Sequence, residues 1–217
     1  MSELLLREQY RGRLNREDAA ETLAALSERA EALVRQGRLM TAAMYRYGRQ
    51  LFLYMEAIGE PFDQETLAAG FEDDLAAWPE KEETRHWAKM YPVFWHQEPL
   101  NAEDWRRKTR PQARRGRIAY LRGESLFEYV YHHYALTREG LHRGDRYMFI
   151  SLHEDVLFSY FEEPRTADNI RRTVEGESAA LKDWLAVDPD SHFIHLPGSG
   201  GRNFLLLPEV FAFGQDG

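Results

Sequence analysis

The chain repeats itself once, and that repeat limits its possible folds more than any other feature. Residues 51–78 and 157–184 superpose without a gap at an offset of 106. Seven of the 28 positions are identical: Leu51/Leu157, Phe52/Phe158, Tyr54/Tyr160, Glu56/Glu162, Gly70/Gly176, Leu75/Leu181 and Trp78/Trp184. About one position in four agrees, where ordinary composition would give roughly one in sixteen, so the match marks a duplicated domain. A repeat this long is a whole small domain rather than a solenoid unit.

Each half reads as the same order of elements. In the first, residues 4–10 form a strand, Asn15 caps an amphipathic helix over 16–35 that stops near Gly37, and 40–45 with 50–57 make a hairpin around Tyr47-Gly48. A second helix follows over 62–78 and ends at Pro79, then a last strand within 86–96. In the second half, 117–121 is a strand, and 125–143 is a helix with Gly144 as its C-cap. The hairpin is 146–152 with 156–162, the second helix is 168–184, and 205–213 is the last strand. Strand-helix-strand-strand-helix-strand is the ferredoxin-like split βαβ motif. Its sheet carries helices on one face only, so the other must be covered, and a tandem copy would serve. The expectation is an α+β protein in which tandem ferredoxin-like (βαββαβ) repeats form an intrachain pseudo-dimeric α/β barrel. Residues 1–100 would be copy 1 and 117–217 copy 2. A basic linker at 101–116 would join them, since Arg106, Arg107, Lys108, Arg110, Arg114 and Arg115 crowd there, with Arg117 next in line.

Composition narrows the function. A net charge of −8 argues against a general nucleic-acid partner. No apolar run approaches the ~20 residues of a membrane span, and the absence of cysteine excludes thiolate chemistry and fits a cytoplasmic protein. His192 and His195 have H-x-x-H spacing, but residues three apart in an extended segment point to opposite faces and no third ligand is evident, so no metal is expected. The glycine-rich stretch 198–201 precedes a strand rather than opening a helix, which suits a loop over a pocket better than a phosphate loop.

The second half supplies a chemical candidate. Tyr129 and His133 stand four apart on the apolar stripe of the first helix and can converge. Together with Arg-Ile-Ala-Tyr-Leu at 117–121, Glu128, Glu139, the hairpin Tyr147-Met148-Phe149-Ile150 with Leu157-Phe158, Trp184, and Pro208-Glu209-Val210-Phe211, this pair resembles the L-rhamnose mutarotase family of the dimeric α/β-barrel superfamily. The resemblance implies a cofactor-free isomerase that interconverts the anomers of a monosaccharide, with His133 as acid/base, Tyr129 assisting, and Tyr147, His153 and Trp184 on the substrate. Histidine suits the reaction because both its forms are accessible near neutral pH. The chain departs from the family after the histidine, where it has Tyr134-Ala135 and Thr137, and at His153, where the family places Asp. Aligning Gly37 with Gly144 sets Thr22 opposite Tyr129 and Leu26 opposite His133, so copy 1 lacks the pair. The chain would act as a monomer with an internal pseudo-dimer, or as a homodimer. The alternatives are an antibiotic-monooxygenase-like barrel acting on an aromatic or haem substrate, and a non-catalytic ligand-binding barrel.

Overall fold

The computed structural model describes residues 3–79, 84–140, 144–164 and 178–216. In chain order the elements are β1 (Leu5–Arg13), α1 (Ala20–Arg35), β2 (Leu39–Tyr47), β3 (Gln50–Ile58), α2 (Glu65–Ala68), β4 (Trp87–Lys89), β5 (Tyr91–Trp95), α3 (Ala102–Trp105), β6 (Ala113–Leu121), α4 (Leu126–Glu139), β7 (Phe149–His153), β8 (Val156–Glu163), α5 (Ala179–Ala186), β9 (Phe193–Ile194), β10 (Leu205–Leu206) and β11 (Glu209–Gly214). The class is α+β, and every strand pair is antiparallel.

Two compact units form, and their boundaries differ from the expected cut at 100 and 117. Unit 1 holds Met1–Met90, Pro99–Pro111 and Leu207–Gly217; unit 2 holds Tyr91–Glu98 and Gln112–Leu206. The sheet orders explain why. Unit 1 reads β11-β2-β3-β1-β4, and unit 2 reads β10-β6-β8-β7-β5 with β9 also on β6. Within each, four strands keep the ferredoxin-like order, and a fifth is added beside the second strand of the repeat. That fifth strand comes from the chain following the other repeat's fourth: β5 pairs β7 in unit 2, and β11 pairs β2 in unit 1. The expected last strands 86–96 and 205–213 are therefore each split between the two sheets.

In unit 1, Leu51, Leu53, Met55 and Ala57 of β3 join Leu26, Ala30 and Val34 of α1 in one apolar cluster. By the two-residue period of a strand, Phe52, Tyr54 and Glu56 face the other way, yet all three are fully buried. Unit 2 repeats the pattern, with Leu157 on the helix side. The shared Tyr-x-Glu becomes a buried hydrogen-bonded pair in each unit: Tyr54 Oη donates to Glu56 Oε1 at 2.6 Å, and Tyr160 Oη to Glu162 Oε1 at 2.7 Å. Arg107 clamps Glu56 through both nitrogens at 2.6 and 2.9 Å, with Trp105 Nε1 adding a bond at 2.9 Å. Arg114 Nε lies 3.6 Å from Glu162. The run at 101–116 is thus no solvated linker. Trp105 and Arg107 are buried, and from residue 113 the chain is already β6.

Local corrections have local causes. The first helix starts at Ala20 rather than 16, because Asn15 is tied by its backbone N–H to Asp74 O and by its side chain to Asp73 O, and Arg16 pairs with Asp74 at 3.0 Å. The helix expected over 62–78 is only α2 and a turn of 3₁₀ helix, since Gly70 takes φ +79° between them. The upstream part of the helix expected over 168–184 lies outside the described residues. α4 ends at Gly140, whose φ of +67° provides the left-handed cap, four residues before the expected Gly144. Gly144 has another use: an added Cβ would sit 2.7 Å from the His96 ring.

Candidate functional site

α4 places its apolar stripe against the sheet of unit 2. Tyr129, His132, His133 and Leu136 are buried on it, as the 3.6-residue period requires. The Tyr129 and His133 rings stack at a centroid distance of 3.8 Å, and His133 Nδ1 donates to the Tyr129 carbonyl at 2.9 Å, so in the neutral ring Nε2 is the acceptor. Trp184 closes on both, edge-on, at 5.7 Å from Tyr129 and 4.8 Å from His133. Glu139 at the end of α4 fixes that approach. Its carboxylate accepts from the first backbone N–H groups of α5, Ala179 at 2.9 Å and Ala180 at 3.3 Å, and from the Ser178 hydroxyl. The Ser178 hydrogen bond, ahead of the backbone bonds, holds the Glu139 carboxyl below its ordinary value.

The structure thus brings Tyr129, His133 and Trp184 together and adds two rings, one of which, His192, the sequence weighed only as a metal ligand. These are His132 at 5.5 Å and His192 at 5.0 Å from Trp184. Tyr147 and His153 do not share one place. Tyr147 precedes β7 and lies beside Arg146, whereas His153 ends β7 at the hairpin tip, about 13 Å of strand further on. His192 and His195 also part: His192 faces Glu128 at 3.0 Å and His195 faces Asn203 at 2.9 Å. Among the described residues no group of three His, Asp or Glu converges as a metal set. With the left-handed glycines Gly37 and Gly140 matched, the copy 1 counterparts are Leu26 for Tyr129 and Ala30 for His133, so the pair is still absent there.

Burial limits what the pair can do. Tyr129 is 1 % exposed and belongs to the apolar cluster of unit 2 with Leu157, Ile150 and Phe193. Burial raises its phenol well above the ordinary value, with only the charge of Arg117 opposing. It is therefore a protonated donor across the physiological range, never a base.

Arg117 leads to a second, open feature of the same unit. On β6 it is two residues from Ala119 and four from Leu121, both on the helix side of the sheet. Its guanidinium lies 4.4 Å from the Phe204 ring and 5.1 Å from the Phe161 ring, while Nε donates to Ser159 Oγ at 3.2 Å. Around it opens a cleft of about 680 Å³, lined also by Arg202, Asn203, Glu163 and Gln112. Glu163 is paired with Arg115 at 3.0 Å, which leaves the wall positive. The glycine-rich loop delivers Arg202, Asn203 and Phe204 to it. Gly198, Gly200 and Gly201 all take positive φ, and Ser199 N–H to Leu196 O and Arg202 N–H to Ser199 O bind its turns. The sequence missed this cleft because Arg117, Phe161 and Phe204 have no motif spacing; only the loop hinted at it.

Among the described residues no helix is long and apolar enough to cross a membrane. No family model and no curated protein matches the chain. A solved structure titled "putative monooxygenase", from Lactobacillus acidophilus NCFM, is similar over 98% of this chain and 97% of that one, with a TM-score of 0.45 and 7% sequence identity.

Proposed function

We propose that this protein binds a flat, negatively charged aromatic molecule in the cleft of unit 2, in keeping with an antibiotic-monooxygenase-like barrel acting on an aromatic substrate rather than a sugar mutarotase. One observation carries the reading: the Arg117 guanidinium lies over two phenylalanine rings, 4.4 Å from Phe204 and 5.1 Å from Phe161, on the wall of a roomy cleft, with Arg202 and Asn203 among the other lining residues. A guanidinium fixed by stacking keeps its planar fork oriented for a carboxylate or phenolate. The Phe161 and Phe204 rings add surface on which a flat ligand can stack. A cleft of about 680 Å³ is within the ordinary size of a small-molecule site, and its mixed lining, with Arg117, Arg202, Asn203, Gln112 and Glu163 beside Phe161, Phe204, Leu206 and Pro164, suits a ligand with one apolar and one charged end. The sugar reading rests on the Tyr129/His133 pair, and an acid/base must reach the anomeric hydroxyl to act. His133 and Tyr129 are both buried, and Tyr129 packs in the apolar core.

The test is titration calorimetry of a series of aromatic carboxylates with one to three fused rings, their primary amides, and a panel of aldoses. Saturable binding of the larger acids, about tenfold or more weaker for the amides, is the expected result. Saturable binding of an aldose, together with faster anomer interconversion by saturation-transfer NMR, would overturn it. Oxygen uptake with any acid that binds then asks whether the bound molecule is also oxidised.

A further inference from the structure

α4 carries a second face that its own unit does not use. Phe127, Tyr131 and Tyr134 remain 84%, 68% and 58% exposed. At i, i+4 and i+7 they form one stripe, on the side of the helix opposite Tyr129, His133 and Leu136. Three exposed aromatic rings in a row are unusual for a protein surface and mark an interaction site. The stripe is framed by charge. Glu124, just before the helix, and Arg138, in its last turn, are both exposed, and neither has an ion pair among the described residues.

We infer that this face is a self-association surface, on which α4 of one copy packs antiparallel against α4 of a second copy about a two-fold axis through Tyr131. The spacing 124, 127, 131, 134, 138 alternates three and four residues, the seam of a helix pair. Centred on Tyr131, antiparallel packing sets Tyr131 against Tyr131 of the second copy and Phe127 against Tyr134. Glu124 meets Arg138 twice by symmetry, seven residues to either side of the axis. Parallel packing would instead oppose Glu124 to Glu124 and Arg138 to Arg138, so the charges select the antiparallel form. Three aromatic rings from each copy, at about 150 Å² apiece, bring the covered area to about 900 Å² before the flanks are counted. With the flanking charged side chains this approaches the lower end of specific interfaces, at ~1,200 Å², and fits a dimer of micromolar affinity.

Sedimentation velocity of the full chain from about 1 to about 100 μM, the range for an interface of this size, tests the inference. A monomer–dimer equilibrium is expected, abolished by Tyr131→Lys and weakened about tenfold by Glu124→Arg or Arg138→Glu alone. The double swap, Glu124→Arg with Arg138→Glu, should restore it. All three substituted positions are exposed, and an unchanged far-UV circular dichroism melt confirms that the variants fold. A chain that stays monomeric throughout, a dimer indifferent to Tyr131→Lys, or a double swap no better than the single ones would overturn the inference. So would assembly beyond the dimer.

Discussion

Replacing Glu56 by glutamine should destabilise unit 1 by about 3 to 5 kcal/mol at pH 7, the cost of leaving a buried cation without its partner. The Glu56 carboxylate is fully buried and takes both nitrogens of an Arg107 whose side chain is itself only 2% exposed. An amide in its place would set an NH₂ group against a guanidinium donor. The ion pair also carries a pH signature. Burial alone would raise the Glu56 carboxyl, but the Arg107 charge and the hydrogen bonds from Arg107 and Tyr54 outweigh it and bring it down to about 2. A folded value below the unfolded one means that the unfolded chain takes up the proton first. The stabilisation is therefore complete above about 4.5 and is lost as pH falls toward about 2, and the interval corresponds to about 3 kcal/mol. Urea unfolding followed by circular dichroism at a series of pH values measures both effects. The wild type should weaken across that acid interval, and Glu56→Gln should start lower and lose this part of the slope. A variant within about 1 kcal/mol of wild type at pH 7, or one with the same acid limb, would refute the reasoning.

Other substitutions have separate outcomes. Tyr129→Ala should cost about 3 to 5 kcal/mol in unfolding free energy, because it removes a ring packed on His133, Trp184 and Phe193. Because the folded phenol ionises above the ordinary value of 10, stability should fall as pH rises past about 10, and Tyr129→Phe should reduce that alkaline loss when melting is followed against pH. Glu139→Gln should speed amide hydrogen exchange at Ala179 and Ala180 at neutral pH, and the wild type should approach the variant as pH drops below the ordinary carboxylate range. Gly12→Val should lower the melting temperature, since even a Cβ there would lie 2.7 Å from the Trp87 ring; the overpacking costs about 1 to 3 kcal/mol.

The sequence made the elements legible better than their partners. Period-two and period-3.6 patterns located both hairpins and α4. What periodicity could not reveal was the destination of the fifth strands. Val93-Phe94 in β5 and Val210-Phe211 in β11 are nearly the same strand, so local preference does not choose between sheet edges. The basic run misled for a related reason. Seven cations in a short stretch look solvated until Glu56 and Glu162, each some fifty residues away in sequence, supply buried counter-charges for Arg107 and Arg114. Asn15 failed as a helix cap because backbone and side-chain bonds to Asp73 and Asp74 held it elsewhere, a tertiary contact that no local signal contains. Tyr129 and His133 were correctly put on the inward stripe, but spacing alone does not say whether an inward face meets a cavity or packed core.

Anion binding at Arg117 is tested most directly by titrating the tightest aromatic carboxylate into the wild type and into Arg117→Met by calorimetry. Methionine keeps much of the apolar stem and removes the charged fork that lies over the Phe161 and Phe204 rings. Loss of charge-assisted hydrogen bonds worth about 1.5 to 3 kcal/mol should weaken binding between about tenfold and about a hundredfold while the melting temperature changes little. Equal affinity in the two proteins, or no saturable binding of any aromatic acid to the wild type, would contradict the account.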